Sequence, residues 1–119
     1  MSHRMRRVDE VIRQVVAETV NTYISDPRVG FVTITDVRTS PDLSHSEVFV
    51  SVMGDPEAQA AAIEGLESAH GRIQAEIGRQ MSMKRTPTLS FQLDETAASA
   101  ERVEEILRGA EPEGGAQER

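Results

Sequence analysis

The chain has 119 residues, a formal net charge of −7 at pH 7, no cysteine and no tryptophan. That length suits one domain with a modest core, and with aromatics at 3% the core must be built from Val, Ile, Leu, Met and Ala. The missing cysteine excludes a disulfide scaffold, a thiolate metal site and a cysteine nucleophile, and no apolar run is long enough for a signal peptide or a membrane span, so a soluble, cytoplasmic protein is expected.

Residues 5–24 read as an amphipathic helix, because Val8, Val11, Ile12, Val15, Val16, Thr19, Val20 and Tyr23 recur at spacings of three and four. "SDPRVG" ends it, since Pro27 biases Asp26 away from helical dihedrals and Gly30 supplies turn freedom. "FVTITDV" (31–37) is β-branched and alternating, and "SEVFVSVM" (46–53) alternates with Val48, Val50 and Val52 on one face. The Ser-Pro-Asp loop between them is short, which favours an antiparallel pair. Asp55 is placed to cap a helix that opens on Pro56. Residues 57–82 follow with Ala62, Leu66, Ala69, Ile73 and Ile77 on one side. "TLSFQL" (88–93) alternates again, with Leu89, Phe91 and Leu93 on one face. Residues 96–108 suggest a short last helix through Val103, Ile106 and Leu107, and 109–119 suggest a disordered acidic tail. The sum is one α+β domain over 1–108, three strands with helices on one face. The open sheet face falls to Thr33, Thr35, Glu47, Ser51, Ser90 and Gln92, with Phe31 and Phe49 sharing that parity.

Nothing here points to catalysis. His3, His45 and His70 lie in separate elements with no ligand spacing, and no P-loop, dinucleotide fingerprint or nucleophile–base pair occurs. No catalytic residue, metal or cofactor is assigned. The charge distribution says more. Residues 1–7 hold Arg4, Arg6 and Arg7 with no acid, and residues 70–87 hold Arg72, Arg79, Lys84 and Arg85 against Glu76 alone. Residues 55–69 sum to −4 and residues 94–119 to −5. Two basic segments could thus meet phosphate if the fold brings them together; the competing reading is solvated surface charge.

The long helical run carries a second stripe, Gly71, Ala75, Gly78 and Ser82, nearly opposite the apolar one and flanked by Arg72 and Arg79. A face without side-chain bulk admits another backbone, either RNA or an element of the same fold. A break near Gly71 gives two helices, and the start of the second exposes backbone amides beside Arg72. Strand, helix, glycine break, helix, strand is the core order of a KH domain, here with its extra helix and strand N-terminal. Arg28 and Arg38 flank the first strand as further candidates for RNA contact.

Over residues 4–94 the chain resembles the bacterial ribosome-binding factor A family. The likeness rests on Arg4, Arg7 and Val8 opening the first helix, on "DPRVGFVTITDVRTSPDLSHSEVFVSV" (26–52), on Ala69-His70-Gly71, similar to the family's Ala-x-Gly inter-helix kink, and on "RTPTLSFQLDE" (85–95). The resemblance implies a KH-like fold of type II order without the usual Gly-x-x-Gly loop. It also implies a non-enzymatic factor that binds the immature small ribosomal subunit, assists late maturation and processing of its rRNA, and is associated with growth in the cold. The expected partners are the small subunit, its rRNA and other assembly factors, with the chain itself a monomer. The expected RNA-binding set is Arg4, Arg6, Arg7, Arg28, Arg38, Ala69, His70, Gly71, Arg72, Gly78, Arg79, Lys84 and Arg85. Two alternatives stand beside it, a general single-stranded RNA binder of KH type and an acidic protein-interaction module. No function is transferred to residues 96–119.

Overall fold

Helix α1 (His3–Tyr23) buries Ile12, Val15, Val16, Thr19 and Val20, and the Thr19 hydroxyl is satisfied by the Val15 carbonyl at 2.7 Å. The buried arc is narrower than the spacing suggests: Val11 and Tyr23 remain 43% and 48% exposed. Val11 sits at the rim of the arc. Tyr23 points along the buried arc but is the helix's last residue, beyond the core that covers the others. The computed structural model describes residues 3–82 and 85–94; the expected last helix, the acidic tail and Lys84 lie outside them.

The turn after α1 is held by Asp26, whose carbonyl accepts from the Val29 amide at 3.0 Å and whose carboxylate accepts from the Arg28 amide at 2.9 Å. Gly30, at φ +58, completes it. Strands β1 (Val32–Thr39) and β2 (His45–Val52) pair antiparallel, as expected, but the register shifts between Ile34 and Asp36. This bulge corrects the expected faces of β1. One extra residue reverses the alternation, so Ile34, Thr35, Val37 and Thr39 are all buried. Thr35 is the inserted residue and is fully buried; its hydroxyl lies 3.1 Å from the Phe49 carbonyl and 2.9 Å from Asp94 Oδ2, and donates between them.

Asp55 caps α2 (Pro56–Ser68), accepting from the Ala58 amide at 2.8 Å, with Pro56 opening the first turn. The run then breaks at Ala69 and α3 (His70–Met81) begins. The break is thus two residues before Gly71, which is already helical. Ala69 turns the chain at φ −95, ψ 5, values open to any residue, while its amide stays bonded to the Gly65 and Leu66 carbonyls. His70 Nδ1 donates to the Glu67 carbonyl at 2.8 Å and so caps the end of α2. Ile73 and Ile77 anchor α3 in the core.

Strand β3 (Thr88–Leu93) pairs parallel to β2, giving the mixed order β1-β2-β3. Ser46, Val48, Val50 and Val52 of β2, with Leu89 and Phe91 of β3, face the three helices. Glu67 Oε2 accepts from the Phe91 amide at 3.2 Å, a side-chain partner for the free edge of the sheet. The order α1-β1-β2-α2-α3-β3 is the α+β, KH-like order expected.

Candidate nucleic-acid interface

Helices α1 and α3 lie side by side and antiparallel. At one end, the Arg72 guanidinium near the start of α3 sits 5.0 Å over the ring of Tyr23, the last residue of α1. At the other end, His3, Arg4, Arg7, Val8 and Val11 line a shallow groove with Met81, the last residue of α3. Arg72 and Met81 lie nine residues apart along α3, about 14 Å. The two basic segments therefore meet where Arg4 and Arg7 approach the end of α3, while Arg72 stands at the start of that helix. Arg79, 68% exposed, lies in the last turn of α3.

The fold adds Arg28 to the kink end. Its Nη2 donates to Ser68 Oγ at 3.2 Å across forty residues of sequence. This is possible because Gly65 lacks a side chain: a Cβ there would stand 3.0 Å from Val29 Cγ2 and 3.3 Å from Arg28 Cβ. Arg28, Ala69, His70, Gly71 and Arg72 thus form one cluster, and Arg4 and Arg7 another. Arg6 faces the opposite flank of α1, in a groove shared with Asp9, Glu10, Arg13, Asp36 and Arg38. Arg38 lies 5.1 Å over Phe49 on the open face of the sheet, so neither Arg6 nor Arg38 joins the α1/α3 surface. Arg85 is exposed in the segment leading to β3.

Pairing sorts these cations further. Arg28 bonds Asp26 at 2.6 Å and lies 3.7 Å from Glu64; Arg38 is 3.6 Å from Asp36; Arg79 bonds Glu76. Hydrogen bonds from the Arg28 side chain and amide hold the Asp26 carboxyl at about 2, against its ordinary 3.8. Glu76 is likewise lowered, first by Arg79 and then by Gln80. Arg4, Arg6, Arg7, Arg72 and Arg85 make no ion pair among the described residues, so a phosphate could meet them without displacing a carboxylate.

The small-residue stripe divides in two. A Cβ on Gly78 would stand 2.8 Å from Thr86 Oγ1, so that glycine lets the segment before β3 pack on α3. A Cβ on Gly71 would meet nothing within 4 Å. Gly71 is exposed and lies in the first turn of α3, which no side chain caps. Of the stripe's two glycines, Gly71 alone leaves backbone free for an external partner.

Spacing had no means to identify Gly65, Tyr23 or Asp9 as organisers of this face. Asp9, 8% exposed, accepts from the Thr39 amide at 3.0 Å and ties α1 to the end of β1. Its position inside an otherwise apolar stripe was the only available signal.

A family model described as ribosome-binding factor A matches residues 4–107. Ribosome-binding factor A of Beutenbergia cavernae is 48% identical over 107 residues, spanning 90% of this chain and 67% of that protein. The Acidothermus cellulolyticus protein of the same description is 47% identical, over 90% of this chain and 71% of its own. The crystal structure of ribosome-binding factor A from Thermus thermophilus superposes with a TM-score of 0.68 at 28% identity, over 75% of this chain and 93% of that one. A solution structure of a Thermotoga maritima ribosome binding factor A gives 0.73 at 27% identity, over 80% and 91%. A homology model of Thermus thermophilus ribosome binding factor A, as fitted into the cryo-EM map of a complex of that protein with 30S, gives 0.60 at 30% identity, over 71% and 88%.

Proposed function

The chain belongs to the ribosome-binding factor A family, and from that premise we propose that it binds the small ribosomal subunit and assists late maturation and processing of its rRNA. The observation that carries the reading to particular residues is the α1/α3 face. Arg4 and Arg7 lie at one end, Arg72 and the bare Gly71 backbone at the other, and no acid pairs with these arginines among the described residues.

The mechanism is a population shift. A protein that binds one rRNA arrangement better than its competitors favours that arrangement by the difference in binding free energy, with no covalent step. Phosphate contacts along a face about 14 Å long would span several nucleotides and make affinity salt-dependent. The acidic segments, 55–69 and 94–119, repel RNA from the remaining surface. We further propose that the chain acts as a monomer in the cytoplasm, and that its help matters most in the cold, where non-native RNA pairings persist longest.

Sedimentation of a cell lysate at moderate salt tests the reading. Co-migration with free small subunits and absence from complete ribosomes is expected. A chain that stays at the top of the gradient would sink it, and binding to isolated single-stranded RNA with no preference for the subunit would replace it with the general RNA-binding alternative.

A further inference from the structure

We propose that Tyr23 is a stacking platform for one unpaired nucleobase, with Arg72 meeting the phosphate beside it. The proposal rests on the reading that this chain binds RNA, and it names the form of RNA the α1/α3 face selects.

Tyr23 is placed on the core-facing arc of α1 yet remains 48% exposed, because it is the last residue of the helix. It is the chain's single tyrosine. The Arg72 guanidinium lies 5.0 Å over one face of the ring and favours that ring orientation, so a base would stack on the opposite face. Arg72 makes no direct ion pair among the described residues, although Glu76 lies within its electrostatic range, so the cation over the ring still has donors to offer. The acids nearby are engaged: Asp26 by Arg28, and Glu76 by Arg79 and Gln80. Arg79 also lies within electrostatic range of Tyr23, and Gly71, one residue before Arg72, presents open backbone. A half-exposed ring flanked by an unpaired guanidinium has the two elements by which proteins hold a single-stranded nucleotide, a π-face for the base and a cation for its backbone. A base inside a duplex has both faces covered by its neighbours and cannot use the ring. The platform therefore favours an unpaired nucleotide over a helix.

The bland alternative is that the Tyr23–Arg72 contact only ties α1 to α3. Intrinsic fluorescence separates the two, since with no tryptophan present the emission of the whole chain comes from Tyr23. The full chain is titrated with a single-stranded oligoadenylate, with duplex RNA and with inorganic polyphosphate at equal phosphate concentration. Saturable quenching by the single strand, exceeding that by the other two, is expected. Equal quenching by all three, or none by the single strand, overturns the proposal. Anisotropy of a labelled oligonucleotide then compares variants. Tyr23→Phe should bind as the parent does, whereas Tyr23→Leu, which keeps apolar contact with α3, should bind about 5- to 150-fold more weakly. Tyr23→Leu binding as tightly as Tyr23→Phe would also overturn it. Failure here is distinct from failure of the parent reading: a chain that co-sediments with small subunits but shows no quenching loses only the platform.

Discussion

Two glycines of similar appearance in "EGLESAHGR" do opposite work, and their substitutions should separate cleanly. Gly65→Ala brings a methyl to 3.0 Å from Val29 Cγ2 and 3.3 Å from Arg28 Cβ; an overpacking cost of about 1–3 kcal/mol, offset by about 1 kcal/mol of helix propensity, is expected to lower the denaturation midpoint. Gly71→Ala places a methyl in open space on a helical backbone and should add about 0.5–1 kcal/mol of stability. The same variant should weaken small-subunit binding in co-sedimentation, because it covers the backbone that a partner would approach. A gain in stability with unchanged binding would leave Gly71 with no role in recognition. Charge at the residue scale gives a pH prediction. Asp26 is lowered to about 2 by Arg28, and Asp42 to about 2 by the Ser40 and Ser44 hydroxyls. Depressed carboxyls contribute stability that is complete above about pH 4 and is lost as pH falls through about 2. The gap in melting temperature between the parent and Asp26→Asn should therefore be constant near neutrality and close below about pH 4.

Among the elements, the bulge in β1 decides most. Alternation in "FVTITDV" predicts a strand correctly but misses that its parity reverses at Thr35, so that Ile34 and Val37 both pair with core residues of β2, because a parity argument assumes that no residue is inserted. What holds the bulge is tertiary: Asp94 arrives from the far end of β3 to meet the Thr35 hydroxyl. Thr35→Val keeps the shape and removes the donor, leaving Asp94 Oδ2 short of that partner. It should cost about 1–3 kcal/mol in denaturant unfolding, and hydrogen exchange should rise first at the β1–β2 pair around the register shift. An unchanged midpoint would show that the backbone pairing alone maintains the bulge. The α2–α3 break has a similar lesson. Its existence follows from the glycine-bearing sequence, but its place does not: Ala69 makes the turn and the His70 ring closes α2, so the conformational freedom of Gly71 is not used there.

For the whole molecule, an acidic chain becomes an RNA-binding candidate through segregation of charge rather than through its sum. The slope of log affinity against log salt measures this. Changing Arg4 and Arg7 together to Gln should flatten the slope by about 0.7–0.9 for each phosphate that is no longer neutralised. Arg28→Gln should change it less, since that guanidinium is already committed to Asp26 and Glu64. Equal slopes for all three proteins would remove the N-terminal arginines from the interface. Sequence alone settles the element order through β3, the antiparallel pair, the Asp55 cap and the two basic segments, because periodicity, capping chemistry and local charge are properties of neighbouring residues. It determined the family as well, through an unbroken run of matching residues. Tertiary packing sets the rest: Arg4 and Arg7 come beside the end of α3 and Arg72 stands at its start, Arg28 joins the kink while Arg6 and Arg38 face elsewhere, and Arg72 lies over the half-exposed Tyr23. Each of these depends on contacts between residues distant in the chain, and such contacts are fixed by how the helices cross the sheet, not by spacing along any one of them.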